Sequence, residues 1–419
     1  MRLYLNNIGM IKEADVKLDG LTVIVGENDT GKSTVGKVIF SILKGIQKYE
    51  ENLEDKFKRQ LFKIIDDFYK NYQKIIKNEK INILFFPPFF VKDVLTNKTN
   101  LSEFFDKYKN LIKDLNNKEL EKDFESLTKK IKIILLDNDE KELQEEALKR
   151  AFFSEFRNQL KLNNSDKGII ELYDDDKKVI EIEITDEIRL KGNFEVFLDD
   201  VTLIETPMIL NFSDMIQSAR SHFEEDDLNR SLIRLEADVI YHSKDLVNKL
   251  VRAAKYGDNE IDKDLLKILK FDFEYKDKTR EFVYLKNRKE YFSINVADGI
   301  KSFGIIKLLL KGNFIRKNIL LIIDEPEVHL HPKWQIEYAK LIVELVKKGI
   351  KVLITSHSPF FIDAIDKLSY KIDVNYYFAE NGFIKEDNNL ELMYKKLNIV
   401  ISDLEDLEIE EMVFKANKK

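Results

Sequence analysis

Gly26-Glu27-Asn28-Asp29-Thr30-Gly31-Lys32-Ser33 meets the phosphate-binding pattern G-x-x-x-x-G-K-[ST] at every fixed position. In such a loop the glycines let the backbone curl, so that its N–H groups and the helix start at Ser33-Thr34 face phosphate oxygens. Lys32 would then reach the β and γ oxygens and Ser33 a Mg2+ ion. A second constellation is Ile319-Leu320-Leu321-Ile322-Ile323-Asp324-Glu325, an apolar strand ending in two carboxylates. By itself this could be only a strand terminus. Behind a phosphate loop, Asp324 is expected to hold Mg2+ directly or through water, and Glu325 to polarise the attacking water. A third is Ser356-His357-Ser358-Pro359, just past the apolar run Lys351–Thr355. At the end of a central parallel strand, His357 could contact the γ-phosphate or the water, or serve as a structural hydrogen-bonder. His329 and His331 form a His-x-His pair, but with no further ligand at useful spacing and no cysteine they do not make a zinc site.

These groups need a scaffold that brings distant segments together. Leu21–Val25 is a buried strand by pattern, and Val35, Val38, Ile39, Ile42 and Ile46 recur at helical spacing, giving the strand–loop–helix context of a phosphate loop. Residues 1–25 are expected to form a strand pair leading into that strand. No glycine lies between Gly45 and Gly168, and apolar residues there fall at helical intervals, so 46–150 is expected to be a helical insertion. Within it Ile83–Phe90 carries Pro87-Pro88, which should break any helix and leave an apolar run to be buried against the insertion or against a partner. Residues 151–212 return to a sheet, with strands at Gly168–Leu172, Val179–Ile184, Phe194–Leu198 and Val201–Ile204. Helical spacing over 213–270 predicts a second helical lobe. Residues 271–390 bring the strands Phe271–Tyr275 and Glu281–Leu285, a helix starting at 297–304, Ile319–Ile323, the helix 333–348, Lys351–Thr355 and a hairpin around Asn381-Gly382. The last stretch, 391–419, is a charged helical tail.

With 419 residues and 44% hydrophobic content the chain can bury a substantial core. No apolar run approaches the ~20 residues that cross a bilayer, and the N-terminus has no signal-peptide pattern, so no membrane association and a cytoplasmic location are expected. The absence of cysteine excludes disulfides, thiolate metal sites and thiol nucleophiles. A net charge of -7 argues against blanket attraction to nucleic acid, yet 69 Lys and Arg against 76 Asp and Glu leave room for a local basic groove.

Three segments in this order, GENDTGKST, LLIIDEPEVHLHPKWQ and TSHSPFF, resemble the ABC-type ATPase heads of the SMC/RecF/OLD group. The DEPE-x-HLHP form is similar to the OLD-like ATPases of prokaryotic defence systems. The resemblance covers 1–45, roughly 150–210 and 280–375. It implies an α/β P-loop head, a mixed sheet plus a parallel sheet flanked by helices, with two helical insertions. It further implies an ATPase with ATP and Mg2+ as cofactors, whose nucleotide is sandwiched in a homodimer, or a higher oligomer, between the loop Gly26–Thr34 of one subunit and a signature helix of the other. The signature candidate is Val296-Ala297-Asp298-Gly299-Ile300-Lys301, which keeps Gly299 and Lys301 but has Ala297 where a serine is expected. Gln159 resembles the family glutamine that reaches the nucleotide and its metal. OLD proteins carry a C-terminal TOPRIM nuclease, and the stretch after His357 lacks its acidic pattern. The resemblance therefore implies a motor or sensor acting on a separate effector, a nuclease or toxin, in an anti-phage or toxin-like system triggered by nucleic acid or a phage component. Two alternatives stay open, a DNA-binding repair ATPase of RecF type and a scaffold that binds ATP and scarcely turns it over.

Overall fold

The computed structural model describes residues 1–75, 79–136, 140–192, 198–219, 221 and 239–397. Strands β1 (Arg2–Ile8), β2 (Ile11–Lys17) and β3 (Leu21–Gly26) precede helices α1 (Lys32–Tyr72), α2 (Glu79–Leu84), α3 (Pro87–Thr96), α4 (Leu101–Lys113), α5 (Lys118–Leu136) and α6 (Glu140–Phe156). Next come β4 (Gly168–Asp174), β5 (Lys177–Ile184), β6 (Ile188–Lys191), β7 (Asp200–Ile204), α7 (Ser213–Ser218), α8 (Tyr241–Tyr256) and α9 (Lys263–Ile268). The remainder is β8 (Asp272–Lys276), β9 (Glu281–Lys286), β10 (Lys289–Phe292), α10 (Asp298–Lys311), β11 (Ile319–Asp324), α11 (Pro332–Lys347), β12 (Lys351–Ser356), α12 (Pro359–Leu368), β13 (Val374–Glu380), β14 (Phe383–Glu386) and α13 (Leu390–Leu397). Two compact units result, one from Met1–Gly45 with the described residues from Leu148 onward, the other from Ile46–Ala147.

The first unit is built on a mixed sheet of eleven strands in the order β6-β5-β4-β1-β2-β14-β13-β3-β12-β11-β7. Its last five strands, β13 to β7, are all parallel. Parallel strands are covered on both faces, which is why Leu21–Gly26 is buried at every position while β2 alternates. The register sets Ile24 and Asp324 beside Thr355, and Ile323 beside Ile204. The carboxyl ends of β3, β12, β11 and β7 therefore lie side by side, where open parallel sheets place ligands. Asn381 and Gly382, with φ of 54° and 84°, make the two-residue turn of the β13–β14 hairpin.

One core joins a single face of these strands to the helices that cover it. Leu246, Val247 and Leu250 of α8, Phe303 and Ile306 of α10, and Tyr338 and Ile342 of α11 are buried with Val23, Leu321 and Ile354. Each such burial stabilises by ~1.5–3 kcal/mol. Trp334 stacks on Phe271 at 5.3 Å and meets Phe303 edge-on at 5.5 Å, fastening the start of α11 to α10. The helical spacing expected over 213–270 gives α7, α8 and α9 in the described residues. Ile216, Leu246 and Leu265 insert into the head's core, so the described residues of this stretch share that core. Strands β6 and β10 are additional to those expected from sequence. Phe194–Leu198 falls almost wholly outside the described residues, as does the tail from 398.

The second unit buries Phe57, Leu61, Ile65, Phe68, Phe85, Phe90 and Phe124 in a separate core. Pro87 and Pro88 interrupt the helical run, as expected, between α2 and α3. They occupy the first positions of α3, where a missing N–H costs nothing. The apolar run around them divides accordingly, with Phe85 and Phe90 buried and Ile83, Phe86 and Phe89 exposed. Among the described residues no helix is long and apolar enough to cross a membrane.

Candidate functional site

The loop after β3 closes on its own lysine. Lys32 is buried, and its Nζ donates to the Glu27 carbonyl at 2.6 Å. Thr30 Oγ1 donates to the same carbonyl at 2.8 Å, while Glu27, Asn28 and Asp29 are exposed at the loop's tip. Gly31 has a φ of +88°, and a Cβ there would lie 2.8 Å from Ile11 Cγ1, so both its conformation and its packing exclude a side chain. In the first turn of α1 the Thr34 N–H donates to the Gly31 carbonyl at 3.0 Å.

The end of β11 meets this loop. Ser33 Oγ donates to Asp324 Oδ1 at 3.0 Å, and the Thr355 hydroxyl donates to the same oxygen. Burial pushes the Asp324 carboxyl above its usual range. The two hydroxyls offset part of that, and the charges of Glu205 and Glu325 add to it. Glu325 sits in the left-handed region, φ 45°, with its N–H donating to Thr355 Oγ1 at 3.1 Å. A non-glycine residue held there stores ~1–3 kcal/mol, a pattern that clusters at functional sites. Its Oε1 lies 3.6 Å from Lys32 Nζ and 3.3 Å from His357 Nδ1.

Glu327, two residues on, escaped the sequence reading. One of its oxygens accepts from Ser356 Oγ at 2.7 Å, His357 N at 2.9 Å and Ser358 N at 3.2 Å. It is 4% exposed, and burial pushes its carboxyl up against the pull of those donors. Glu327 thus fixes the turn that presents His357. The imidazole Nδ1 lies 3.5 Å from Glu327 Oε1, and is aligned for a hydrogen bond with neither glutamate. Spacing alone offered a signal, since Glu327 alternates with Glu325 after the strand.

Glu205, the residue following β7, was also missed. It lines a cavity of about 310 Å³ with Asp324, Glu325, Ser302 and His329. Its Oε1 lies 3.0 Å from Lys37 Nζ and its Oε2 3.0 Å from His242 Nε2. Behind it, Glu155 Oε2 sits 2.6 Å from His242 Nδ1. The bond from His242, opposed by burial, brings the Glu205 carboxyl down to about 2. Burial disfavours charge on His242, yet the two carboxylates outweigh it and push the imidazole up to about 9. No local pattern marks this group, because Glu155 and Glu205 lie far from His242 in the chain.

The other residues singled out from sequence fall elsewhere. Gln159 is exposed on the turn after α6, where Arg157 at φ 55° reverses the chain and Leu160 accepts from Gly9 N–H. It is Glu205, rather than Gln159, that lines the cavity with Asp324. Ala297 caps α10 without a side-chain bond, and a Cβ on Gly299 would come 3.0 Å from Leu330 Cδ2. Lys301 is 2% exposed and bonded to Asp298 Oδ1 at 2.8 Å, so its charge is satisfied within its own helix turn. His331 Nδ1 accepts from Lys333 N–H and caps α11. Among the described residues no three His, Asp or Glu side chains gather as a metal cage.

The AAA ATPase domain family matches residues 1–362. Over 158 residues the chain is 23% identical to an OLD nuclease of Thermus scotoductus, covering 36% of this chain and 30% of that protein. The chain thus spans less than a third of that relative's length. An SMC head bound to the C-winged-helix domain of ScpA is similar over 92% of this chain and 96% of its own, at 12% identity and a TM-score of 0.41. An ATP-binding cassette of an ABC transporter in its ADP conformation is similar over 98% of both chains, at 16% identity and a TM-score of 0.34. Matched over most of its length, and with a phosphate loop hydrogen-bonded to the acidic end of a parallel strand, the chain belongs to the AAA ATPase domain family and is an ATPase.

Proposed function

We propose that ATP is hydrolysed where Gly26–Thr34, Asp324, Glu325 and His357 converge, and that the bound nucleotide controls pairing of two copies and, through it, a separate effector. The observation that carries the site is the Ser33–Asp324 hydrogen bond, beside which Lys32 and Glu325 stand 3.6 Å apart. A hydroxyl and a carboxylate sharing one bond are hard oxygen donors of the kind Mg2+ takes, and a cation there would relieve the burial that raises Asp324. Bound Mg2+·ATP supplies a γ-phosphoryl group whose charge the ion helps to spread. Lys32 binds phosphate oxygens, Asp324 and Ser33 hold the ion, Glu325 orients and deprotonates the water, and His357 reports the γ-phosphate. The turn Ala297–Lys301 is supplied to the other copy's nucleotide, and the missing Ala297 hydroxyl weakens that contact.

Lys32→Ala and Glu325→Gln should each lower turnover ~10^2-fold or more in steady-state hydrolysis assays. Wild-type rates in either variant would remove the assignment. Glu325→Gln should also accumulate as a dimer in ATP, read by light scattering, and a monomer under those conditions would exclude nucleotide-gated pairing. Similarity to an OLD nuclease supports an effector of nuclease type, and the likeness of the DEPE-x-HLHP segment to defence ATPases supports a role against phage. Phage plating that is restricted equally by wild type and Lys32→Ala would overturn that role.

A further inference from the structure

The hydrolytic reading leaves one buried chain of charges unexplained. Glu155, His242, Glu205 and Lys37 alternate in sign, and their nearest contacts are 2.6, 3.0 and 3.0 Å. Two are held away from water, His242 and Glu155 with side chains 1% exposed, Lys37 is half-buried, and Glu205 is 36% exposed and opens into the cavity. Ionic groups this deep are costly to bury, and an unanchored glutamate beside Asp324 and Glu325 would swing away from two like charges. Here each of its oxygens is engaged by a different cation. The register beside Ile323 fixes its backbone one step from Asp324.

His242 has no freedom of its own. Glu155 takes its backbone N–H at 3.0 Å and faces ring Nδ1, and Phe40 packs edge-on at 6.1 Å. Both ring nitrogens face carboxylates, so both carry protons and Nε2 can only donate to Glu205. Lys37 lies one helical turn beyond Ser33 on α1, so Glu205 also ties β7 to the helix that carries the hydroxyl on Asp324.

We propose that His242 is a positioning residue for hydrolysis: anchored by Glu155, it aims the Glu205 carboxylate into the Asp324–Glu325 cavity, where Glu205 accepts hydrogen bonds from waters around the metal and the γ-phosphate. This rests on the reading of Asp324 and Glu325, which line that cavity, as part of the hydrolytic site. Each Glu205 oxygen keeps a lone pair beyond the one that His242 or Lys37 uses, which suits accepting from water. Outer-shell partners of this kind change metal affinity about 10–100-fold when removed.

The test uses the full chain with His242→Gln, Glu205→Gln and the double variant, titrating Mg2+ against binding of a fluorescent ATP analogue and measuring kcat and KM. Each single variant should raise the Mg2+ needed for half-maximal binding about tenfold and lower kcat, with KM at saturating Mg2+ nearly unchanged. The double variant should match Glu205→Gln, because His242 acts through Glu205. Multiplied effects, or wild-type Mg2+ dependence in His242→Gln, overturn the proposal. Should His242→Gln not fold, Lys37→Met releases Glu205 from its more exposed side and should shift the Mg2+ dependence in the same direction. A wild-type Mg2+ titration in that variant counts equally against the proposal. Asp324→Asn separates the two layers. If it too leaves the Mg2+ dependence unchanged, the site reading fails; if it abolishes it while His242→Gln does not, only the role of His242 fails.

Discussion

Strand β7 has a charged cluster at each end, both built with α1 and α8, the second joined also by Glu155 of α6. At its start Asp200 meets Lys44 of α1 at 2.6 Å and Lys249 of α8 at 2.8 Å, with Asp245 of α8 2.9 Å from both lysines. At its finish Glu205 meets Lys37 of α1 and His242 of α8. The first cluster is sealed, its side chains all under a fifth exposed, and Lys249 also donates to the Val201 carbonyl at 2.7 Å. The second opens into the cavity beside Asp324. Shared scaffolding with different access separates a clamp from a working group. In the sealed cluster every charge is answered by protein, and in the open one a carboxylate keeps acceptor capacity facing outward.

The comparison breaks most sharply at Lys249. Lys249→Ala leaves two buried carboxylates with a single lysine and should cost ~3–5 kcal/mol in denaturant unfolding, with turnover per folded molecule little altered. A loss under 1 kcal/mol would mean that the sealed cluster does not clamp. The open end should instead show itself through pH. His242 is raised from 6.5 to about 9 by folding, so its contribution is complete below pH 6.5 and disappears as pH climbs through about 9. The stability gap between wild type and His242→Leu should therefore narrow across that interval by on the order of 2–3 kcal/mol. A gap independent of pH would indicate a neutral imidazole. The smallest effect belongs to Arg316→Ala. That residue meets Asp199 at 3.0 Å next to the sealed cluster, but both side chains are more than 40% exposed, and the change should stay below ~1 kcal/mol. A larger loss would show that pairing, not burial, governs this end of the sheet.

What could be read in the sequence follows how locally each feature is encoded. The phosphate loop, the acidic end of β11 and the His357 turn are short strings whose residue types state their chemistry, and the structure brings all three together. The long helical stretches showed in their apolar spacing. Pro87-Pro88 divides two helices as its type states, but the run around it is only partly buried, because Phe86 and Phe89 face outward where α3 begins. The short strands β6 and β10 have four residues each, too few for alternation to declare itself. The group around Glu205 was out of reach for a different reason. Its members come from α1, α6, β7 and α8, and only the finished sheet makes them neighbours. Gln159 matched the family glutamine by type, but it lies exposed on the turn after α6, away from Asp324.

Trp334 is the sole tryptophan of the chain, pressed between Phe271 and Phe303 at the first turn of α11. Seven residues before it stands Glu327, which holds the His357 turn, and Phe303 belongs to the helix that opens with Ala297 and Gly299. Excited at the red edge of its absorption, where tyrosine does not absorb, the unmodified protein thus emits from one indole wedged between Phe271 and α10. The molecule carries its own optical gauge of that joint, legible in a stopped-flow trace without any dye.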